Sequence, residues 1–201
     1  MNERIIIIGS GGQGKIIADI VLKNHDIVAG FLDDGGSSPD GFEYLGRIDD
    51  YKNYPDCKLI IAIGTNSVRK DISKRLEGVS WYTAIHPTAS ISAVGAKIGE
   101  GSMVGAFAVI GPDAAIGSHA IINTAVDVEH DCRVGDFSHI SPNATLCGTV
   151  KIGSLVHIGA GAVIKNNTNV CDEVTVGVGA AVVKNITSSG VYVGVPAKKI
   201  R

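Results

Sequence analysis

Residues 97–128 read KIGEGSMVGAFAVIGPDAAIGSHAIINTAVDV, with aliphatic residues at Ile98, Val104, Ile110, Ile116, Ile122 and Val128, every sixth position. The beat continues through Val134, Ile140, Leu146, Ile152, Ile158, Ile164, Val170, Val176 and Val182, fifteen positions without a miss. Glycine often follows, as at Gly99, Gly105, Gly111, Gly117, Gly135, Gly153, Gly159 and Gly177. Four places after the aliphatic stands a small or β-branched residue such as Ser102, Ala108, Ala114, Ala144 or Thr168. A period of six fits neither a helix nor a simple alternating strand. It fits a triangular coil with one hexad per flat face, three per turn, aliphatics stacked inside and small residues at tight corners. Fifteen hexads make five coils, and Ile85 and Ile91 add a partial coil at the start, offset by one residue.

Upstream, the period differs. Residues 4–9 (RIIIIG) read as a buried strand, 15–22 as the helix after it, and 26–32 (DIVAGFL) as a second strand ending in Asp33-Asp34. Residues 58–63 (KLIIAI) make a third strand, followed by a helix with apolar Val68, Ile72 and Leu76, and 81–85 close the sheet. Strand-helix-strand alternation implies a parallel sheet with helices on its faces. The sequence thus divides into an α/β domain over 1–84 and a coil over 85–201.

Composition sets limits on function. The 201 residues carry 18 basic and 20 acidic side chains, a net charge of -2, which is no footprint for nucleic-acid binding. The first residues lack the features of a signal peptide, and no apolar run is long enough to span a bilayer. Cys57, Cys132, Cys147 and Cys171 show no CxxC pairing, so neither a zinc site nor a disulfide framework is expected, and a reducing cytoplasm fits.

Gly9-Ser10-Gly11-Gly12-Gln13-Gly14 places G-x-G-x-x-G between a strand and a helix. Such glycines let the backbone approach a phosphate at a helix N-terminus. Asp33 and Asp34, after the second strand, stand where ribose or sugar hydroxyls are read. About 84 residues supply roughly one mononucleotide-binding half, which argues against NAD and for a nucleoside diphosphate with a group attached. Gly64-Thr65-Asn66 lies at the same sheet edge; Asn66 fits either a second contact loop or a helix N-cap.

In the coil, residues 123–141 (NTAVDVEHDCRVGDFSHIS) depart most from the small-residue pattern. His130 falls at a corner pointing outward, where an imidazole titrates near neutral pH and can take a proton. Asp131 beside it can orient the ring and raise its basicity. Eighteen residues per coil put His130 below Gly148, about 4.8 Å away along the ladder, so a nearby backbone N–H can serve as an oxyanion donor beside the base. His139 and His157 stack one coil apart, but no Cys or carboxylate converges on them and no metal site is expected. His86 and His119 read as surface or packing residues, and Cys132 falls on an inward position. His130 and His139 lie half a coil apart, so one chain cannot aim both at one substrate. Lys198, Lys199 and Arg201, after the Gly194-Val195-Pro196 turn, offer positive charge suited to phosphates.

The whole chain resembles the bacterial sugar O-acyltransferase family of the sialic-acid O-acetyltransferase type, and within it the N-acetyltransferases of UDP- or GDP-linked 4-amino sugars. The resemblance is carried by Ile5-Ile6-Ile7-Ile8-Gly9, Phe31-Leu32-Asp33-Asp34, Ile85-His86-Pro87-Thr88-Ala89, Val128-Glu129-His130-Asp131-Cys132, His139-Ile140-Ser141-Pro142 and Gly194-Val195-Pro196-Ala197-Lys198-Lys199. It implies a Rossmann-like nucleotide-sugar-binding domain followed by a left-handed parallel β-helix that assembles as a homotrimer. It implies acetyl-CoA as co-substrate, His130 as general base modulated by Asp131, and Asn123 near the reacting amine. It further implies His139 on the pantetheine arm, and backbone around Gly148, Ala160 and Val178 lining the coenzyme channel. Segment 190–201, with Lys198 and Lys199, would close over the coenzyme. Gly11, Gly12, Gln13, Gly14, Asp33 and Asp34 would meet the nucleotide sugar, although the family often has His where this chain has Gln13. The expected reaction is direct acetyl transfer to a nucleotide-linked 4-amino-4,6-dideoxy sugar. O-acetylation of a hydroxyl such as that of sialic acid, and a non-catalytic sugar-nucleotide sensor, are the rival readings.

Overall fold

Four consecutive isoleucines decide the first half. In β1 (Arg4–Ile8) they alternate sides, and all four are fully buried. Ile5 and Ile7 pack with Ile17, Ile20 and Val21 of α1 (Gly12–Lys23), on one side of the sheet. Ile6 and Ile8 pack with Ile72 of α2 (Asn66–Arg75) and Leu76 on the other. A strand covered on both faces reads as a continuous apolar run, and each such side chain contributes about 1.5–3 kcal/mol by burial. β1 pairs in parallel with β2 (Ile27–Leu32) and β4 (Lys58–Ile61), and a short β3 (Tyr44–Gly46) completes the order β3-β2-β1-β4. β3 and the 3-10 turn Ile48–Asn53 lack a periodic apolar signal. The computed structural model describes residues 2–201.

The sheet does not close with 81–85 as the sequence suggested. Trp81 makes a single bridge to Leu59, whereas Ala84–Ile85 pairs with Met103–Val104 as the first rung of the solenoid. The apolar residues of 81–85 serve two sheets, which a one-dimensional pattern cannot separate. Val68 is exposed, and the buried stripe of α2 runs instead through Arg69, Ile72 and Leu76.

From there the chain is a parallel β-helix with three faces. Face I carries Met103–Val104, Ile121–Ile122, His139–Ile140, His157–Ile158 and Val174–Val176. Face II carries Val109–Ile110, Asp127–Val128, Thr145–Leu146, Val163–Ile164 and Ala181–Val182. Face III carries Lys97–Ile98, Ala115–Ile116, Arg133–Val134, Lys151–Ile152 and Asn169–Val170. Registers advance by 18 residues, as in Ile122↔Ile140, except in the first coil, where Ile85↔Val104 and Ile91↔Ile110 advance by 19, and at the C-terminal end, where Val174↔Gly190 advances by 16. The hexad aliphatics and the small residues four places on, Ala108 to Ala180, fill one core.

Each corner turns on a residue with positive φ directly before that small residue. These recur every sixth position from Gly95 to Gly179, among them Phe107 (58°), Ala125 (54°), Asp131 (61°) and Leu155 (60°). Such a backbone is costly for a non-glycine residue. The stack offsets it, because from Asp113 to Gly179 each corner N–H donates to a carbonyl of the previous coil, as Asp131 does to Pro112 and Thr149 to His130, and the Phe107 N–H donates to the Thr88 hydroxyl.

Outward residues distinguish the faces. On face I, Met103 and Ile121 are buried in the same cluster as Ile5, Ile7 and Tyr82, so the α/β domain sits on that face. Face III shows Lys97, Arg133 and Lys151 to solvent, while face II shows Ser90, Val109, Thr145, Val163 and Ala181 with Asp127 as its one charge. The C-terminal segment stays on the coil: Gly190–Val193 pairs in parallel with Val174–Val176, Lys198–Lys199 folds back antiparallel, and Tyr192 and Ala197 pack on the core. Among the described residues, no helix is long and apolar enough to cross a membrane.

Candidate active site

His130 opens the corner between faces II and III, and Asp131 is its positive-φ residue. That backbone brings the Asp131 carboxylate to 2.8 Å from His130 Nδ1, which fixes Nδ1–H as donor and leaves Nε2 as the free acceptor. The side-chain hydrogen bond to Asp131 raises the imidazole above its ordinary value, opposed by desolvation and aided by the charges of Asp131 and Glu129. Nε2 aims at the next coil: a β-carbon on Gly148 would meet it at 2.5 Å. Among the described residues the Gly148 N–H has no hydrogen-bond partner, while its carbonyl accepts from Asn167. A base and an unused amide donor therefore stand side by side at an exposed corner.

The second cluster is on face I. His139 stacks on His157 with ring centroids 5.0 Å apart. Its Nε2 lies 3.3 Å from the Asn123 amide nitrogen and its Nδ1 3.4 Å from the Gly64 carbonyl. Burial, followed by the charges of His157 and Arg69, lowers His139 to about 4, so the ring is neutral at pH 7. His157 is lowered by the same burial and bonds to the Ser141 hydroxyl at 2.9 Å. Gly64, Thr65, Asn66, Ser67, His139, Leu155, His157, Glu173 and Thr175 line an open cavity of about 760 Å³ between the two domains. Asn66 is not the N-cap; that position is Thr65, and the Asn66 amide instead donates to the Val156 carbonyl of the solenoid.

A second cavity, about 450 Å³, is lined by Gly9, Asp33, Asp34, Ile48, Ile63, Val68, Asp71, Ile72 and Arg75; of the glycine loop only Gly9 reaches it, and Gly11, Gly12, Gln13 and Gly14 do not line it. Desolvation works to raise the Asp33 carboxyl, but the N–H groups of Ser10 and Gly35 and the Ser10 hydroxyl hold it below its ordinary value. Asp33 therefore shapes the loop as well as lining the cavity. Asp34 accepts from the Ile48 N–H and faces Arg47 and Arg75. Gly11 and Gly12 have open space where a β-carbon would go, but one on Gly14 would collide with the Gly9 carbonyl and press on Phe31. Gly14 thus seats the helix against the sheet, and Gly11 and Gly12 leave the approach clear. Gln13 points at the solenoid, its amide donating to the Met103 sulfur.

One chain therefore separates the expected site residues into groups. His130, Asp131 and Gly148 share the corner between faces II and III; Asn123 and His139 lie on face I, against Gly64 and Asn66 at the start of α2; Asp33 and Asp34 stay with the glycine loop. Ala160 and Val178 stack at the corner between faces I and II, with Val178 well exposed. Lys198 and Lys199 are exposed on the terminal strand. Cys132 is fully buried, its thiol raised by desolvation and bonded to the Cys147 carbonyl at 3.2 Å, so it offers no nucleophile. Among the described residues no His, Cys, Asp and Glu cluster could hold a metal ion. His119 and His86 are buried packing residues. Arg69 was missed, although its place in the 69, 72, 76 stripe of α2 marks it as inward-facing.

Residues 4–76 match the PglD N-terminal domain family, and residues 95–124 and 131–166 match the bacterial transferase hexapeptide (six repeats) family. The chain is 37% identical over 117 residues to UDP-N-acetylbacillosamine N-acetyltransferase of Bacillus subtilis, a match covering 51% of each chain, so it spans about half the length of that relative. The fold matches the acetyltransferase domain of PglB from Neisseria gonorrhoeae in complex with acetyl coenzyme A, with TM-score 0.94, 35% identity and all of both chains covered. It also matches PerB from Caulobacter crescentus in complex with CoA and GDP-perosamine, with TM-score 0.93, 33% identity, and 98% of this chain and 97% of that one covered. A nucleotide-type α/β domain seated on a hexapeptide β-helix, matched over its full length, leads to one assignment: the chain belongs to the family of hexapeptide-repeat transferases that carry a PglD-type N-terminal domain.

Proposed function

We propose that this protein transfers the acetyl group of acetyl-CoA to the amino group of a UDP- or GDP-linked 4-amino-4,6-dideoxy sugar. The observation that carries this reading is the close approach of His130 Nε2 to Gly148, whose N–H has no hydrogen-bond partner among the described residues. The sugar amine attacks the thioester carbonyl, and His130, held by Asp131, removes its proton. The carbonyl oxygen gains negative charge beside the Gly148 N–H. Collapse expels the coenzyme A thiolate, which takes the proton back from His130. In this reading the acceptor's nucleotide lies against Gly11, Gly12, Gln13, Gly14, Asp33 and Asp34. The pantetheine runs by His139, Ala160 and Val178, and Lys198 and Lys199 meet the coenzyme phosphates.

His130 and the Asn123–His139 cluster occupy different edges of one coil, so we assign the working unit to a homotrimer in which one chain's His130 meets the next chain's face I. The nearly uncharged outer surface of face II, beside the basic face III, supports packing between copies there. A cytoplasmic location follows from the nature of both substrates. Release of free thiol from acetyl-CoA, measured against a panel of UDP- and GDP-linked 4-amino sugars, tests the reading. Turnover with one amino sugar is expected. Release only with a sugar hydroxyl as acceptor, or none at all, would overturn it.

A further inference from the structure

Arg69 has none of its surface exposed and makes no ion pair among the described residues. An isolated buried guanidinium is expensive unless every N–H is satisfied. Here all five are. Nε donates to the His119 carbonyl at 2.7 Å, and Nη2 to the Phe137 carbonyl at 2.7 Å and Asn66 Oδ1 at 2.9 Å. Nη1 donates to the carbonyls of Ile63 at 2.7 Å and Gly64 at 3.3 Å.

The acceptors belong to two bodies. Ile63, Gly64 and Asn66 form the loop from β4 into α2, while His119 and Phe137 are positive-φ corner residues of successive coils, their rings stacked 5.1 Å apart. The Nε–Nη2 edge of the planar fork spans two carbonyls set one coil apart, a match that an ammonium cannot reproduce. The loop on the other side of the fork roofs the cavity above His139 and His157.

We propose that Arg69 is a positioning residue for the transfer: it locks the nucleotide-binding domain, with its bound acceptor, at one register along the solenoid that carries the acetyl donor. This rests on the assignment of acceptor and donor given above. Each substrate then binds mainly one body, and Arg69 governs how often the amine meets the thioester. Loosening the joint lowers the effective concentration of one reactant at the other and leaves each separate affinity alone.

The test compares Arg69→Lys and Arg69→Met in the full chain. For the Met variant, kcat per folded molecule falls by about a hundredfold. Calorimetric dissociation constants for acetyl-CoA and for the nucleotide sugar, each measured alone, stay near wild type. Lys keeps the charge but has at most three donors, so its kcat falls between the two, a partial rescue. Scanning calorimetry of the ligand-free protein gives one transition for wild type and two for the Met variant, because the domains no longer melt together. Wild-type kcat in a folded Met variant overturns the proposal, as does a defect confined to the dissociation constant or KM of the nucleotide sugar. If the Met variant does not fold, wild-type kcat in the Lys variant overturns it. An inactive wild type would sink the proposed reaction and leave the calorimetric test of the lock standing.

Discussion

The imidazole of His130 occupies the space that a side chain on Gly148 would take, its Nε2 standing 2.5 Å from where that β-carbon would lie. Gly148 is not among the positive-φ positions, so its lack of a side chain serves this approach and not the turn. Gly148→Ala should therefore fold with a melting temperature near wild type and push the ring off line. The expected loss is about a hundredfold in kcat, in the range for a displaced base or oxyanion donor. Unchanged kcat would separate His130 from the amide.

The His130–Asp131 hydrogen bond gives the pH profile its sign. A base works deprotonated, and Asp131 raises His130, so kcat should fall as pH drops through that raised value. Asp131→Asn keeps a residue tolerant of positive φ but withdraws the charge, and should move the acid limb to lower pH with a modest loss at the plateau. His130→Ala should cost roughly a hundred- to ten-thousand-fold in turnover, with substrate affinities little changed. A folded His130→Ala variant with near-normal kcat would move the chemistry elsewhere, with His139 next to test.

Two glycines of one loop should behave in opposite ways. Gly12→Val enters open space, so the domain should keep its stability and lose nucleotide-sugar affinity, with acetyl-CoA affinity intact by calorimetry. Gly14→Val drives a side chain into the Gly9 carbonyl and should lower the melting temperature sharply. Equal loss of both substrates' affinity in Gly12→Val would mean that the domain does not hold the acceptor.

Val163 sits outward in the middle of face II, among Thr145 and Ala181. Val163→Glu places a carboxylate there without touching the core. Light scattering should show monomer in place of trimer, with activity reduced by more than about a hundredfold because no neighbour completes the site. A fully active monomer would remove the need for a second chain.

The coil was legible because its repeat is local: each aliphatic has the same surroundings as the one 18 residues away, so the period survives in one dimension. The strands of the α/β domain were legible through β1, whose isoleucines must be buried on both sides. What escaped depended on contacts between the domains. Arg69 looks like one charge among many in NSVRKDISKR, and only the position of two corner carbonyls makes it a buried lock. The residues of 81–85 are shared between two sheets for the same reason. Asn66 resembled a cap because its partner, the Val156 carbonyl, lies 90 residues away. The corner residues were hidden because His119, Phe137 and Leu155 have no turn preference of their own; the stacked carbonyl, not the side chain, holds their backbone.

That ladder of corner bonds also limits how the molecule can change over generations. Beyond the first coil, inserting or deleting a few residues would set every later aliphatic out of phase, so length is free to vary only in whole turns of 18 residues. The His130 corner stands within the single turn that runs from His119 to Phe137, the two corners gripped by Arg69, so no whole turn can enter or leave between the lock and the base. A turn gained or lost elsewhere in the stack leaves that spacing unchanged. Variation in this lineage should collect at the C-terminal end of the stack and in the loops of the nucleotide domain, where an added residue shifts nothing downstream.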